Sequence, residues 1–224
     1  MHVLFAGMRG SGKSTACVST TLALRKRYPG FTVGLHELDI WSDTHPCILG
    51  EKPWGQRNKR GHTHPGDELI EEYLAALEVF AADDSTIVLG DLPGRPNRAE
   101  HDILKEVVDG VVLVARNLRP DDQHQTYPQA IEFWERTLGR LGLPVIASVH
   151  SVFPGQQSPL NRIAIDGLNR RPIPEHPGIN DLAAILAADL IPPVSTKEAH
   201  AREIESVVEK AYAKVTGASS PATT

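Results

Sequence analysis

Short apolar runs alternate with longer amphipathic stretches along most of the chain. Residues 3–6 (Val3, Leu4, Phe5, Ala6) form an apolar run that ends at a glycine, the pattern of a strand buried on both faces. Residues 14–27 carry Cys17, Val18, Leu22 and Leu24 among polar positions and close on Arg25, Lys26 and Arg27. That predicts a helix with cations at its C-terminal end, stopped by Tyr28-Pro29-Gly30. A second strand is expected over 31–40. Residues 67–82 place Leu69, Ile70, Tyr73, Leu74, Leu77 and Phe80 on one helical face. Further strands are expected at 86–89, 110–115, 143–149 and, more weakly, 162–165. Further helices are expected at 98–108, 129–141, 181–190 and 197–215. The end of the chain, 216–224, is small and polar and is expected to be disordered.

Strands that alternate with helices imply a three-layer α/β/α fold with a mostly parallel central sheet. A single domain over 1–215 accommodates all of these elements. In such sheets ligands gather at the carboxyl ends of the strands. Gly7, Asp39, Asp91, Arg116 and His150 each follow an expected strand, so the pattern puts them on one rim.

The first rim residue opens Gly7-Met8-Arg9-Gly10-Ser11-Gly12-Lys13-Ser14, a full match to G-x-x-x-x-G-K-[ST]. Glycines let the backbone curl so that several N–H groups point at phosphates, and the following helix turns its positive end to the same anion. Lys13 is expected on the β- and γ-phosphates, and the Ser14 hydroxyl on Mg²⁺. By chance the pattern arises in about one chain in a hundred of this length, and the strand before and helix after make chance less frequent still. The nucleotide-binding candidates are Gly7, Arg9, Gly10, Ser11, Gly12, Lys13, Ser14, Thr15 and Gly94. The strand over 86–89 delivers Asp91 to the rim as a Walker B-type acid, which with Ser14 makes the Mg²⁺ pair. Gly94, in Asp91-Leu92-Pro93-Gly94, can bring its N–H to a γ-phosphate. No glutamate follows Asp91, which points to the kinase and GTPase branch of P-loop proteins, where the P-loop and Walker B strands are neighbours.

On these residues, Gly7 to Thr15, Asp39 and Asp91-Leu92-Pro93-Gly94, the chain resembles P-loop NTPases of the SIMIBI type. That group holds the dethiobiotin-synthetase-like, MinD/ParA-like and metallochaperone GTPase families. The resemblance implies NTP-dependent phosphoryl transfer or hydrolysis with Mg²⁺. Related proteins often place the nucleotide at a subunit interface, so a homodimer is one assembly the resemblance allows. MinD/ParA proteins carry a lysine after the first P-loop glycine; Met8 stands there instead, which speaks against dimerisation driven through that lysine. A fainter resemblance, to the P-loop domain fused to some CRISPR-associated ring nucleases, rests on Arg95-Pro96-Asn97 after the Asp91 turn and on the tryptophan-bearing loop after the second strand.

ATP is favoured over GTP, because no N-K-x-D motif occurs; the corresponding place reads Ala147-Ser148-Val149-His150-Ser151-Val152. Asn169-Arg170-Arg171-Pro172 is either a base-side loop or an exposed basic turn. The long polar stretch 41–65, with room for a short helix, has two readings. It is a lid or acceptor site, with Asp39 or Asp43 orienting a substrate hydroxyl, Trp41 and Trp54 offering flat surface, and Arg57, Lys59 and Arg60 clamping an anion. Alternatively it is a solvated loop anchored by its tryptophans. Together with Lys13 and Asp91, Asp39 and Asp43 make the catalytic candidates. His45, Cys47, His62 and His64 match no strong zinc spacing. Arg9, Arg95 and Arg98, near the phosphate loops, are candidates to stabilise transition-state charge, but the reading as ordinary surface or supporting arginines is favoured for each.

Charge and cysteine content add little. The formal net charge of -5 does not indicate nucleic acid. Two cysteines without C-x-x-C fit a reducing, cytoplasmic setting. No charged leader precedes the first strand, and no apolar run reaches the roughly 18 residues of a membrane span. The expected partners are therefore a nucleoside triphosphate and an acceptor or protein still to be identified.

Overall fold

A computed structural model describes residues 1–40, 43–57, 67–94, 101–116, 127–152, 163–188 and 190, with backbone only at 67–70, 101–103 and 127–131. Its elements in order are β1 (His2–Ala6), α1 (Lys13–Arg27), β2 (Val33–Glu37), α2 (His45–Ile48), a 3-10 turn (Trp54–Gln56), α3 (Asp67–Ala82), β3 (Ile87–Asp91), α4 (His101–Val107), β4 (Gly110–Arg116), α5 (Tyr127–Leu141), β5 (Val145–Val152), β6 (Ile163–Asp166) and α6 (Pro177–Ala188). The chain divides into two compact units, Met1–Ile185 and Leu186–Thr224. The sheet belongs to the first. The helix expected over 197–215 and the tail 216–224 lie outside the described residues.

The six strands form one sheet in the order β2-β3-β1-β4-β5-β6, and every neighbouring pair is parallel. From β1 the chain runs to the β2 edge, returns to β3, then crosses to β4 on the far side of β1. The winding therefore reverses beside β1, and such a reversal opens a crevice at the carboxyl ends of the strands. Register fixes what stands there. Phe5 lies opposite Asp91, and Glu37 lies opposite Asp91 on the other side, so three strand ends share one level.

Alternation along β1 assigns the two faces. Leu4 and Ala6 join Tyr73, Leu77 and Phe80 of α3, Leu104 of α4, and Trp134 and Leu138 of α5 in one buried cluster. Val3 and Phe5, out of phase by one residue, face the other side, where α1 packs along β1 to β4. Helix α1 is buried well beyond one stripe, with Ser19, Thr20 and Thr21 sealed from solvent. Two of these hydroxyls are engaged: Thr21 Oγ1 donates to the Cys17 carbonyl at 3.0 Å, and Ser19 Oγ accepts from the Ile173 N–H at 2.9 Å.

The sequence expectations shift most at three places. The second strand ends at Glu37 instead of residue 40, because its partner β3 ends at Asp91; the last rung is the Leu38 N–H on the Asp91 carbonyl at 3.0 Å. Asp39 therefore lies beyond the strand. The strand expected over 143–149 continues to Val152, paired on both sides by β4 and β6. His150 is thus a buried residue inside β5 and not a residue that follows the strand. The last described helix begins at Pro177, four residues before the apolar pattern suggested, since proline is pre-set for a first helical position.

The core sets a stability expectation. Leu4 is fully buried in a central strand, so Leu4→Ala should cost about 2–5 kcal/mol. Val79 on α3 is 61% exposed, so Val79→Ala should stay within about 0.5 kcal/mol of the parent. Urea unfolding of the two variants beside the parent checks both.

Candidate nucleotide and metal site

The glycine loop leaves β1 and turns tightly against β4. Gly7 has φ +153, and a Cβ there would fall 2.1 Å from the Val114 carbonyl oxygen, so no other residue fits. Gly10 and Gly12 also have positive φ. The Ser11 N–H bonds the Met8 carbonyl at 3.1 Å, and Arg116 Nη1 reaches the Gly10 carbonyl at 3.4 Å. Helix α1 opens at Lys13 with no side-chain cap and no acid in its first turn. Its first N–H groups, which have no partner within the helix, are left for an anion. Ser11 Oγ is buried and has no hydrogen-bond partner among the described residues.

Asp91 is completely buried beneath this loop. Lys13 Nζ lies 3.5 Å from its Oδ1 and 3.9 Å from Asp39 Oδ2. His45 Nε2 lies 3.4 Å from Asp91 Oδ2. Burial alone would raise the Asp91 pKa, but Lys13, His45 and the nearby Ser14 hydroxyl outweigh it and hold the carboxyl below its ordinary range. Neither oxygen accepts a well-aligned hydrogen bond from the described residues. A buried carboxylate held ionised beside a serine hydroxyl is a hard oxygen pair, and Mg²⁺ takes such a pair together with phosphate oxygens and water. The residues present therefore fit that ion. Among the described residues no cluster of three or more His, Cys, Asp or Glu is placed to hold a metal by itself.

Glu37 organises the segment that brings His45 in. Its carboxylate accepts the backbone N–H groups of Thr44 and of His45, the latter at 3.1 Å. These donors stand at the start of α2, where no helical carbonyl precedes them and Pro46 follows directly. Burial pushes the Glu37 pKa up to about 7, against the pull of His45 and of the two N–H groups. The nearby thiol of Cys17 is pushed up too, by burial first and then by the charge of Asp91. Cys17 and Cys47 are both free and buried.

The candidates from sequence fall into three groups. Lys13, Ser14, Asp39 and Asp91 stand together at the mouth of the glycine loop. Gly94 packs on that loop as well, since a Cβ there would lie 2.9 Å from the Arg9 nitrogen; Arg9 is exposed and Thr15 is buried on α1. Asp43 sits apart in its chemistry, in an ion pair with Lys52. Trp41, Lys59, Arg60, His62, His64, Arg95, Pro96, Asn97 and Arg98 lie outside the described residues. Sequence reasoning missed the roles of Glu37 and His45. Pro46 marked a helix start whose preceding N–H groups needed an acceptor, but nothing in the spacing said that Glu37 would supply it.

An all-parallel sheet with a glycine loop between β1 and α1, and an acidic strand end on the neighbouring β3, defines the P-loop α/β class. No family model matches the chain, and no curated protein matches it in sequence. Solved structures similar to it include the septum site-determining protein MinD of Pyrococcus horikoshii complexed with Mg-ADP, at 13% identity and TM-score 0.47, covering 83% of this chain and 76% of that one. The cell division ATPase MinD of Pyrococcus furiosus is 16% identical with TM-score 0.46, over 81% and 78%. The kinase domain of the Escherichia coli tyrosine kinase ETK is 15% identical with TM-score 0.43, over 71% of each chain. Likenesses of this size carry no residue role to this chain, whose own sheet order and glycine loop define its class. Among the described residues no helix is long and apolar enough to cross a membrane.

Glu37 generates a pH expectation. Its folded pKa, about 7, lies above its unfolded value near 4.5. The contribution it makes is therefore complete below pH 4.5 and is lost as pH rises through 7, by at most about 3 kcal/mol. Glu37→Gln keeps an acceptor without the charge, so the stability gap between parent and variant should move in favour of the variant from pH 5 to pH 8. Urea unfolding across that range, without nucleotide, measures it; a gap constant with pH would remove the buried-carboxyl assignment.

Proposed function

We propose that the chain binds a nucleoside triphosphate with Mg²⁺, ATP ahead of GTP, and transfers the γ-phosphoryl group to a small or nucleotide-like acceptor held by the 41–65 segment. The observation that carries this reading is Lys13, buried at the end of the glycine loop between the carboxylates of Asp39 and Asp91. A lysine so placed can turn to the β- and γ-phosphates, and Ser14 and Asp91 are the residues that would hold Mg²⁺. The ion supplies charge neutralisation to the phosphates when bound. The loop N–H groups and the α1 terminus cradle the phosphates, and Lys13 follows the charge that develops on them. The bond from the γ-phosphorus to the β–γ bridging oxygen breaks, a new bond to an acceptor oxygen forms, and the acceptor proton passes to Asp39 or to water. Such chemistry depends mainly on positioning. The 43–57 segment, tied to Asp91 through His45, is suited to bring an acceptor close.

A second reading is favoured by Gly94. Its contact with Arg9 links the Asp91-Leu92-Pro93-Gly94 turn to the phosphate loop, as suits a switch NTPase in which water accepts the phosphoryl group and a partner senses its loss. A homodimer is compatible with either reading.

Incubation with Mg²⁺ and γ-labelled ATP or GTP, alone and with cell extract, separates them. Label passing into a new species only with extract supports the phosphotransferase; label released as free phosphate without extract supports the switch. Lys13→Ala should abolish either transfer with an unchanged circular dichroism spectrum. Turnover at the parent's rate in that variant would remove the P-loop assignment.

A further inference from the structure

Two guanidinium groups from distant parts of the chain converge on one indole. Arg57 Cζ lies 5.7 Å and Arg170 Cζ 5.1 Å from the centroid of the Trp54 ring. Neither arginine has an ion-pair partner among the described residues. An aromatic face attracts each cation, but it does not neutralise either charge. Arg170 is also the only non-glycine residue with positive φ among the described residues, at +68, a conformation that costs energy.

Both walls of this cluster are tied to the phosphate site. The loop that carries Arg170 backs onto the glycine loop through Leu168, whose Cβ would lie 2.7 Å from a Cβ placed on Gly12. It is pinned to α1 by the Ile173 N–H on Ser19 Oγ. The segment that carries Trp54 and Arg57 follows α2, linked to it by the Cys47 thiol on the Pro53 carbonyl at 3.9 Å, and α2 places His45 on Asp91. Two cations without an ion-pair partner among the described residues therefore meet the same indole, outside the loop that already supplies its own donors for a triphosphate.

We propose that Trp54, Arg57 and Arg170 form a second anion site, which holds the phosphate group of the acceptor, a nucleoside monophosphate or another phosphate monoester. Each guanidinium fork matches paired phosphate oxygens, and a phosphate at the edge of the indole would draw on both cations. This site rests on the phosphotransferase reading above and names the class of acceptor for it.

The test is calorimetry on the full chain saturated with Mg²⁺ and a non-hydrolysable analogue of ATP or GTP, whichever it binds. AMP, GMP, CMP, UMP, their nucleosides and inorganic phosphate are then titrated in turn. At least one monophosphate should bind, with its nucleoside at least about tenfold weaker, the difference expected for losing charged hydrogen bonds. Inorganic phosphate binding without any monophosphate would also support the anion site and exclude nucleotides as its source. Arg57→Gln and Arg170→Gly, the latter relieving the positive φ, should each weaken that binding by about tenfold and leave analogue affinity unchanged. The site is overturned if neither phosphate nor any monophosphate binds the analogue-loaded protein, or if both variants bind as the parent does, leaving only a structural stack. It is also overturned if the variants weaken the analogue instead, which would give the arginines to the triphosphate. If the parent binds neither analogue, the triphosphate reading falls before any acceptor is added, and the second site falls with it.

Discussion

The carboxylate of Asp91 has no contact with water and stays ionised. A lone buried charge is too costly for a protein to carry, so the groups that compensate it constrain everything around it. Lys13 must stand at the end of the glycine loop, and His45 must come in from the segment after β2. That second demand reaches further, because His45 is delivered by a short helix whose first N–H groups are gathered by Glu37 at the end of the edge strand. One buried charge thus links three strand ends, the phosphate loop and the segment that leads to Trp54.

In the reading proposed above, a divalent ion with phosphates would compete with Lys13 and His45 for Asp91. The glycine turn at Gly94 packs close to the loop from the Asp91 side. A cation at the carboxylate and an acceptor beside Trp54 would act on opposite ends of the 43–57 segment.

Legibility varied with the range of the interactions. The strands at 3–6, 86–89 and 110–115 could be read because a strand buried on both faces is apolar without interruption, and each appears within a residue or two of its expected place. The ends of β2 and β5 could not be read, since a strand stops where its neighbours stop. His150 shows the effect: it looked like a rim residue from its own segment, yet pairing with β4 and β6 carries it into the strand interior.

The sequence by itself determined the class of fold and the phosphate loop. Both depend on local rules: periodicity decides helix against strand, and glycines at fixed spacing permit one backbone path at Gly7, Gly10 and Gly12. Tertiary structure decided the company those residues keep. Only the strand order brings Glu37 level with Asp91, and only the folded chain sets Arg170 against Trp54 across more than a hundred positions of sequence. Pairings of that kind are fixed by packing and charge compensation between elements, and neither is written in the spacing of residues along one segment.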